Sequence, residues 1–165
     1  MDDRDANSGK VDINGYPIWY EKFGTGSKPV LLIPGGIGTG RTDYWEQLEG
    51  DDALDTNRFT LIAVESPGWG RSAPPARRFD INMYNRDAEC YYQLMQHLGY
   101  EKFSVIAWSD GAKGALTLAI KYSDSVNAMV LSGASICGSK EAVRFLNTIV
   151  KVDSWGPGRL DSYLR

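Results

Sequence analysis

The chain has very little histidine or cysteine, and its charges nearly balance. Its 165 residues include one histidine and two cysteines, and the formal net charge is −3. The largest basic cluster is the pair Arg77-Arg78, so the sequence offers no surface typical of nucleic-acid binding. Cys90 lies in a predicted helix and Cys137 after a predicted strand. We expect both to be free thiols in a reducing compartment.

Long apolar runs are also absent from the sequence. No stretch approaches the roughly 18 apolar residues of a membrane-spanning helix. The opening residues, MDDRD, are too acidic for a secretory or mitochondrial leader. The length suits one domain with a substantial core. We therefore expect a soluble intracellular protein with no membrane partner, in the cytoplasm or, as the alternative, in mitochondria, and the sequence leaves its oligomeric state open.

Apolar runs alternate with segments of helical periodicity. Asn14-Gly15 predicts a β-hairpin at the start, and short continuous apolar runs predict strands buried on both faces of a parallel sheet. One helix has Asp80 or Asn82 as its candidate cap and Gly99 as its stop. The predicted fold is α/β, a mostly parallel, doubly wound sheet with an antiparallel N-terminal hairpin. Predicted strands cover 11–13, 17–23, 29–33, 59–64, 103–107 and 128–131, and predicted helices cover 83–98, the segment from 112 onward, 140–151 and a short tail.

A strand, a turn and a helix surround residues 107–111, AWSDG. This segment matches the pattern G-x-S-x-G except that Ala107 replaces the first glycine. In a nucleophile elbow the strand turns sharply into the helix, the serine Oγ projects from the sheet edge, and the strained turn requires small neighbours. Small residues stand at 107, 111, 112, 114 and 115. We predict that Ser109 is a nucleophile; the alternative is a surface serine in an ordinary turn.

The glycine-rich loop at 34–42, PGGIGTGRT, has three interpretations. In an oxyanion loop, the backbone N–H groups of Gly36 and Asp110 would face one point beside a reacting carbonyl. In a phosphate-binding loop, Gly35 to Thr42 would match G-x-x-x-x-G-K-[ST], with Arg41 in place of the lysine and Glu65 as the metal-binding acid. The third interpretation is a flexible turn.

In combination, these segments resemble the α/β-hydrolases. The loop at 34–36, the turn ESPGWGRS at 65–72 and the elbow at Ser109 occur in the order typical of that family. The resemblance runs from about Val11 to the final residues and is strongest to the valacyclovir hydrolase branch, the biphenyl hydrolase-like serine esterases. The segments that carry this closer likeness are NG at 14–15, LLIPG at 31–35, TD at 42–43 and WSDG at 108–111.

The resemblance implies a serine esterase that acts on a small-molecule ester through an acyl-enzyme, without metal or organic cofactor. It implies that Ser109 is the nucleophile and that the amides of Gly36 and Asp110 form the oxyanion hole. It further implies that the carboxylate of Asp110 binds the α-amino group of an amino-acid ester; the alternative is that Asp110 only complements the helix dipole. We expect Trp108 to pack beneath the elbow, and Tyr44 and Trp45 to be core or pocket wall.

The resemblance also implies a domain layout. Residues 1–10 would be a disordered N-terminus, 11–138 a hydrolase core with the first six strands, and 139–165 the start of a helical lid. Pro34, Glu65, Ala107 and Lys113 depart from the pattern of the wider family, but none of them removes a catalytic atom.

A serine nucleophile needs a base, and the family places its acid and histidine after the serine. The chain's one histidine, His97, precedes Ser109. It ends the helix that leads into the predicted strand, so about 17 Å of strand separates it from the serine and it cannot be the base. We therefore expect a truncated chain that ends inside the lid and lacks the last strands, the acid and the base. The alternative functions are a non-catalytic truncated product and a P-loop NTPase that uses Gly35 to Thr42.

Overall fold

The chain begins with the predicted hairpin. In the computed structural model, which describes residues 8–134 and 140–149, strand β1 (Ser8–Ile13) pairs antiparallel with β2 (Tyr16–Phe23). Asn14 and Gly15 have φ values of 55° and 79°, which is the left-handed pair that a two-residue type I′ turn requires. The hairpin predicted from Asn14-Gly15 is therefore confirmed.

Among residues 8–134, six strands form one sheet in the order β1-β2-β4-β3-β5-β6. The pairs β3–β4, β3–β5 and β5–β6 are parallel, whereas β2 meets β4 antiparallel. This arrangement confirms the predicted mostly parallel sheet with an antiparallel N-terminal hairpin. The chain winds outward in both directions from β3 and β5, and in such sheets the crevice at the carboxyl ends of these strands is the usual ligand site. The remaining strands are β3 (Lys28–Ile33), β4 (Phe59–Val64), β5 (Phe103–Trp108) and β6 (Val126–Ser132).

Helices cover both faces of the sheet, as the doubly wound prediction requires. The helices of this part of the chain are α1 (Gly40–Asp43), α2 (Trp45–Leu48), α3 (Met83–His97) and α4 (Gly111–Lys121). A further helix, α5 (Lys140–Ile149), comes later in the chain. On one face, α3 and α4 bury Leu94 and Leu118 against Phe103. On the other face, Tyr44 and Leu48 pack against a smaller set of strand residues. Burial of these apolar side chains is the main force that holds the layers together.

The ends of α3 differ in part from the prediction. Gly99 follows the helix at φ 84° and ends it as predicted. Asn82 occupies the N-cap position, but its side chain makes no capping hydrogen bond. Asp80 instead accepts a hydrogen bond from the Asn82 N–H at 3.0 Å and lies 3.2 Å from Arg86. The carboxylate therefore orders the turn before the helix rather than capping it.

The chain divides into two units between residues 134 and 135, and α5 belongs to the second. The prediction of a division at 138 and 139, and the predicted nature of each segment, remain predictions. Cys137, residues 150–151 of the helix predicted over 140–151 and the predicted helical tail lie outside the described residues. Cys90 is a buried free thiol, and burial raises its pKa to about 12. Among residues 8–134 and 140–149, no helix has the length and apolarity to cross a bilayer.

Candidate active site

Ser109 lies in a strained turn between β5 and α4. Its φ is 53°, in the left-handed region that costs a non-glycine residue energy and is typical of a nucleophile elbow. The Ser109 N–H donates to the Ser132 carbonyl at 2.8 Å, and the Ser109 carbonyl accepts from Ala112 N–H at 3.2 Å. The neighbouring strand β6 and the first turn of α4 therefore hold the serine backbone in this conformation.

Small residues allow the elbow to pack closely, as the sequence pattern predicted. A Cβ added to Gly111 would lie 2.1 Å from the Pro34 carbonyl oxygen. Ala107, Ala112 and Ala115 are fully buried around the turn. The start of α4 thus contacts the end of β3 backbone to backbone, and this contact brings the glycine-rich loop to the serine.

The loop after β3 wraps around the carboxylate of Asp43. The Gly35 N–H donates to Asp43 Oδ2 at 2.7 Å, and a Cβ on Gly38 would lie 2.1 Å from Asp43 Oδ1. Burial raises the pKa of Asp43, and the hydrogen bond from Gly35 opposes that rise. Asp43 therefore uses the first loop amide and fixes the path of the glycines that follow.

Gly36, the next residue, lies against the elbow. An added Cβ would be 3.4 Å from the Cβ of Asp110. Within residues 8–134, neither the Gly36 N–H nor the Asp110 N–H donates a hydrogen bond to another group. Two unused amides beside each other, one on the loop and one on the residue after Ser109, have the composition of an oxyanion hole.

A small cleft opens beside these amides. Polar side chains at its floor form hydrogen bonds with one another. Arg77 binds Asp87 through two hydrogen bonds of 3.0 and 2.7 Å, and both side chains are buried. Ser66 Oγ and Tyr91 OH lie 2.9 Å apart. Burial raises the pKa values of Asp87 and Tyr91, with the Arg77 guanidinium opposing the rise in both. The cleft is lined by Pro34, Gly35, Gly36, Ser66, Trp69, Arg77, Asp87, Tyr91, Asp110 and Gly111.

The two oxygens of the Asp110 carboxylate have different surroundings. Oδ1 accepts hydrogen bonds from Tyr84 OH at 2.7 Å and from Lys113 Nζ at 2.9 Å. Oδ2 lies on the side of Gly36, 3.7 Å from the place where its Cβ would be. Although Asp110 occupies the N-cap position of α4, its side chain makes no capping hydrogen bond. Burial alone would lower the pKa of Lys113, but its contacts with Asp110 and Tyr84 outweigh burial and raise it.

Sequence reasoning did not find the roles of Asp43, Tyr84 and the Arg77–Asp87 pair. Lys113 follows Asp110 by three residues on a helix, a spacing at which opposite charges pair, so that contact had a local signal. Tyr84 reaches Asp110 across 26 positions of sequence, and no local pattern predicts such a contact.

The prediction that Trp108 packs beneath the elbow is wrong. The side chain is 45% exposed, and its indole lies over Gly35 and Gly133. Side chains alternate along β5, so Trp108 points to the face opposite Ala107. The two glycines leave room for the ring at the end of the strand, where no helix of the described residues covers it completely.

Tyr44 and Trp45 were each expected to be either core or pocket wall. Tyr44 is core: its hydroxyl lies 2.8 Å from the Ile33 carbonyl and 3.1 Å from the Ile106 carbonyl, and so joins the ends of β3 and β5. Trp45 is 47% exposed, packs against the Arg41 guanidinium and does not line the cleft. The prediction that Trp45 is core or pocket wall is therefore wrong.

The contacts of the loop contradict the phosphate-binding interpretation. Arg41 forms an ion pair with Glu49 at 2.8 Å and lies 3.8 Å from Glu21, outside the loop. The Asp43 carboxylate occupies the position inside the loop that a phosphate would require. Glu65, the supposed metal ligand, is buried and paired with Arg71 at 2.7 Å.

His97 lies far from the elbow, as predicted. It is an exposed residue at the carboxyl end of α3, which leads to the start of β5, whereas Ser109 follows the other end of that strand. Six strand residues separate the two ends by roughly 20 Å. His97 cannot accept a proton from Ser109.

The sequence is similar to a known protein family and to two serine hydrolases. Residues 28–163 match the family described as alpha/beta hydrolase fold. The serine hydrolase BPHL of Mus musculus is 38% identical over 150 residues, which are 91% of this chain and 50% of the mouse protein. The Homo sapiens protein of the same name is 37% identical over the same shares. The chain thus spans about half the length of these two relatives.

Solved structures agree on the fold. The N-acyl homoserine lactonase AidH, complexed with N-butanoyl homoserine, superposes with a TM-score of 0.67 at 18% identity, over 96% of this chain and 64% of the lactonase. An epoxide hydrolase mutant of Vigna radiata superposes with a TM-score of 0.64 at 22% identity, over 75% of this chain and 37% of that protein.

Proposed function

The chain belongs to the α/β-hydrolase fold family, and on that basis we propose that it is the nucleophile-bearing part of a serine hydrolase that cleaves carboxylic esters of α-amino acids. Ser109 is the nucleophile, the amides of Gly36 and Asp110 are the oxyanion donors, and the Asp110 carboxylate binds the substrate amine. The observation that carries the proposal is the left-handed Ser109 beside two amides that have no other acceptor within residues 8–134.

The proposed reaction is acyl transfer in two steps. Ser109 Oγ attacks the ester carbonyl carbon while its proton passes to a base, and the carbonyl oxygen becomes an oxyanion held by the Gly36 and Asp110 amides. Collapse of this intermediate expels the alcohol and leaves an acyl-serine. Water then attacks the acyl-serine and releases the acid. Within the described residues His97 is the one histidine, and its position excludes it as the base.

The arrangement of Asp110 supports an amine as the group that the substrate presents. A helix N-terminus already favours anions, and the side chain of Asp110 makes no capping bond there, so Asp110 is not needed as a cap for α4. Oδ2 lies on the Gly36 side of the carboxylate. A carboxylate that faces the site of acyl transfer attracts an ammonium and disfavours an anion.

The proposal is tested by replacing the charge and keeping the amide. Diphenyl phosphonates modify a nucleophilic serine, and they can be made with or without an α-amino group. Asp110→Asn should slow modification by the amino probe by about 1 to 3 kcal/mol in activation free energy, the cost of removing one partner of a partly buried charge pair. Modification by the probe without an amine should change little. Equal losses with both probes would show that Asp110 only supports the elbow, and would overturn the amino-ester assignment.

A further inference from the structure

Residues from two helices donate hydrogen bonds to the same carboxylate oxygen of Asp110. Tyr84 comes from the start of α3 and Lys113 from the first turn of α4, and both donate to Oδ1. The Lys113 ammonium also lies 5.4 Å from the centre of the Tyr84 ring, a distance at which cation–π attraction operates. We call Tyr84 and Lys113 together the Oδ1 clamp.

The Oδ1 clamp restricts the direction of the carboxylate. A free aspartate rotates about two side-chain torsions, and its terminal torsion is broad. In this site, rotation would break both hydrogen bonds to Oδ1, each of which involves a charged group. The side chains of Asp110 and Lys113 are 30% and 36% exposed, so water competes only in part for these contacts. Oδ2 is therefore held on the side of Gly36.

We propose that the Oδ1 clamp sets the spacing between the amine and the carbonyl of the substrate, and so makes the site selective for α-amino esters over isomers with a more distant amine. This inference rests on the proposed function. With Oδ2 fixed beside Gly36, an ammonium bound to it and a carbonyl bound to the Gly36 and Asp110 amides lie close together. One intervening carbon bridges that gap without strain, whereas a chain of three carbons must fold back on itself. Tyr84 and Lys113 are thus positioning residues that act through Asp110.

Two isomeric probes isolate this spacing. 2-Aminobutanamide and 4-aminobutanamide have the same formula and, at about pH 6, the same single positive charge. Their dissociation constants from the 165-residue chain can be measured by following the Gly36 and Asp110 backbone amides in an NMR titration. Lys113→Met also removes a positive charge, and this charge effect should be the same for both probes, so the ratio of the two constants reports spacing alone.

A second clamp on the same helix provides a matched control. Tyr122 and Lys121 both contact Glu89 Oε2 at the other end of α4, away from the cleft. The double variant Tyr122→Phe with Lys121→Met therefore removes the same groups from a carboxylate that has no place in the site. The single variant Tyr84→Phe, which changes no charge, tests the clamp if the double variant Tyr84→Phe with Lys113→Met does not fold.

The expected results distinguish the role of the Oδ1 clamp from the binding of the amine by Asp110. The wild-type chain should prefer 2-aminobutanamide, the Tyr84–Lys113 double variant should lose that preference by about tenfold, and the Glu89 control should keep it. The inference is overturned if binding depends on Asp110 but the preference survives in the clamp variants, or falls equally in the control. If neither probe shows binding that Asp110→Asn abolishes, the amino-ester proposal itself fails, and this inference fails with it.

Discussion

At the scale of single residues, Asp43 organises the loop beside the nucleophile. Its carboxylate accepts the Gly35 amide and fills the inside of the loop, so that the following amide, that of Gly36, stays unused within the described residues. This placement has an electrostatic cost. Burial removes the carboxylate from water and so raises the pKa of Asp43.

That pKa predicts how stability depends on pH. Because the folded pKa of Asp43 is raised, its protonated form stabilises the fold below the ordinary value of 3.8, and this stabilisation is lost as the pH rises through the folded pKa. Asp43→Asn keeps an oxygen acceptor for the Gly35 amide and does not ionise. We therefore expect the free energy of unfolding of Asp43→Asn, relative to wild type, to increase from pH 3 to pH 7 in urea titrations. A difference that stays constant or decreases over this range would contradict the assigned direction.

At the scale of elements, the site depends on how closely α4 approaches the end of β3. Gly111 allows this approach because a side chain there would collide with the Pro34 carbonyl, whereas a Cβ on Gly114 would meet the Tyr91 ring at 3.4 Å. The close contact between α4 and β3 therefore requires Gly111 but does not require Gly114.

The two glycines give a paired prediction. Gly111→Ala should destabilise the protein by roughly 2 to 3 kcal/mol, since backbone on both sides of the contact must move apart. Gly114→Ala should be near neutral, because the gain of up to about 1 kcal/mol in helix propensity offsets the tight contact with Tyr91. Urea unfolding of both variants provides the comparison. Similar losses would mean that the helix as a whole, and not its first turn, limits the packing.

The sequence predicted the elements better than it predicted their contacts. The Asn14-Gly15 turn and the apolar strands have signals within a few residues, and they were confirmed. Trp108 was misassigned because its exposure depends on which face of β5 it occupies and on glycines from two other segments. Asp43 and Tyr84 were missed for a related reason, since each acts on a group that only the folded chain brings near.

At the scale of the whole molecule, the sheet brings two distant segments to one point. The loop after β3 and the elbow after β5 meet because these strands are neighbours, joined at their ends by the Tyr44 hydroxyl. On the far side of β5, β6 forms the edge of the sheet among the described residues, and Val130 on that strand is 61% exposed. The topology therefore accounts for the position of the cleft.

Covalent labelling tests whether Ser109 is a nucleophile. The 165-residue chain and its Ser109→Ala variant would be treated with a fluorophosphonate, with imidazole in the buffer as an external base because His97 is out of reach. Peptide mass spectrometry would then locate the adduct. We predict a single phosphonylated residue, Ser109, and no adduct in the variant. An adduct on another residue, or equal labelling of the two proteins, would show that Ser109 is not the nucleophile.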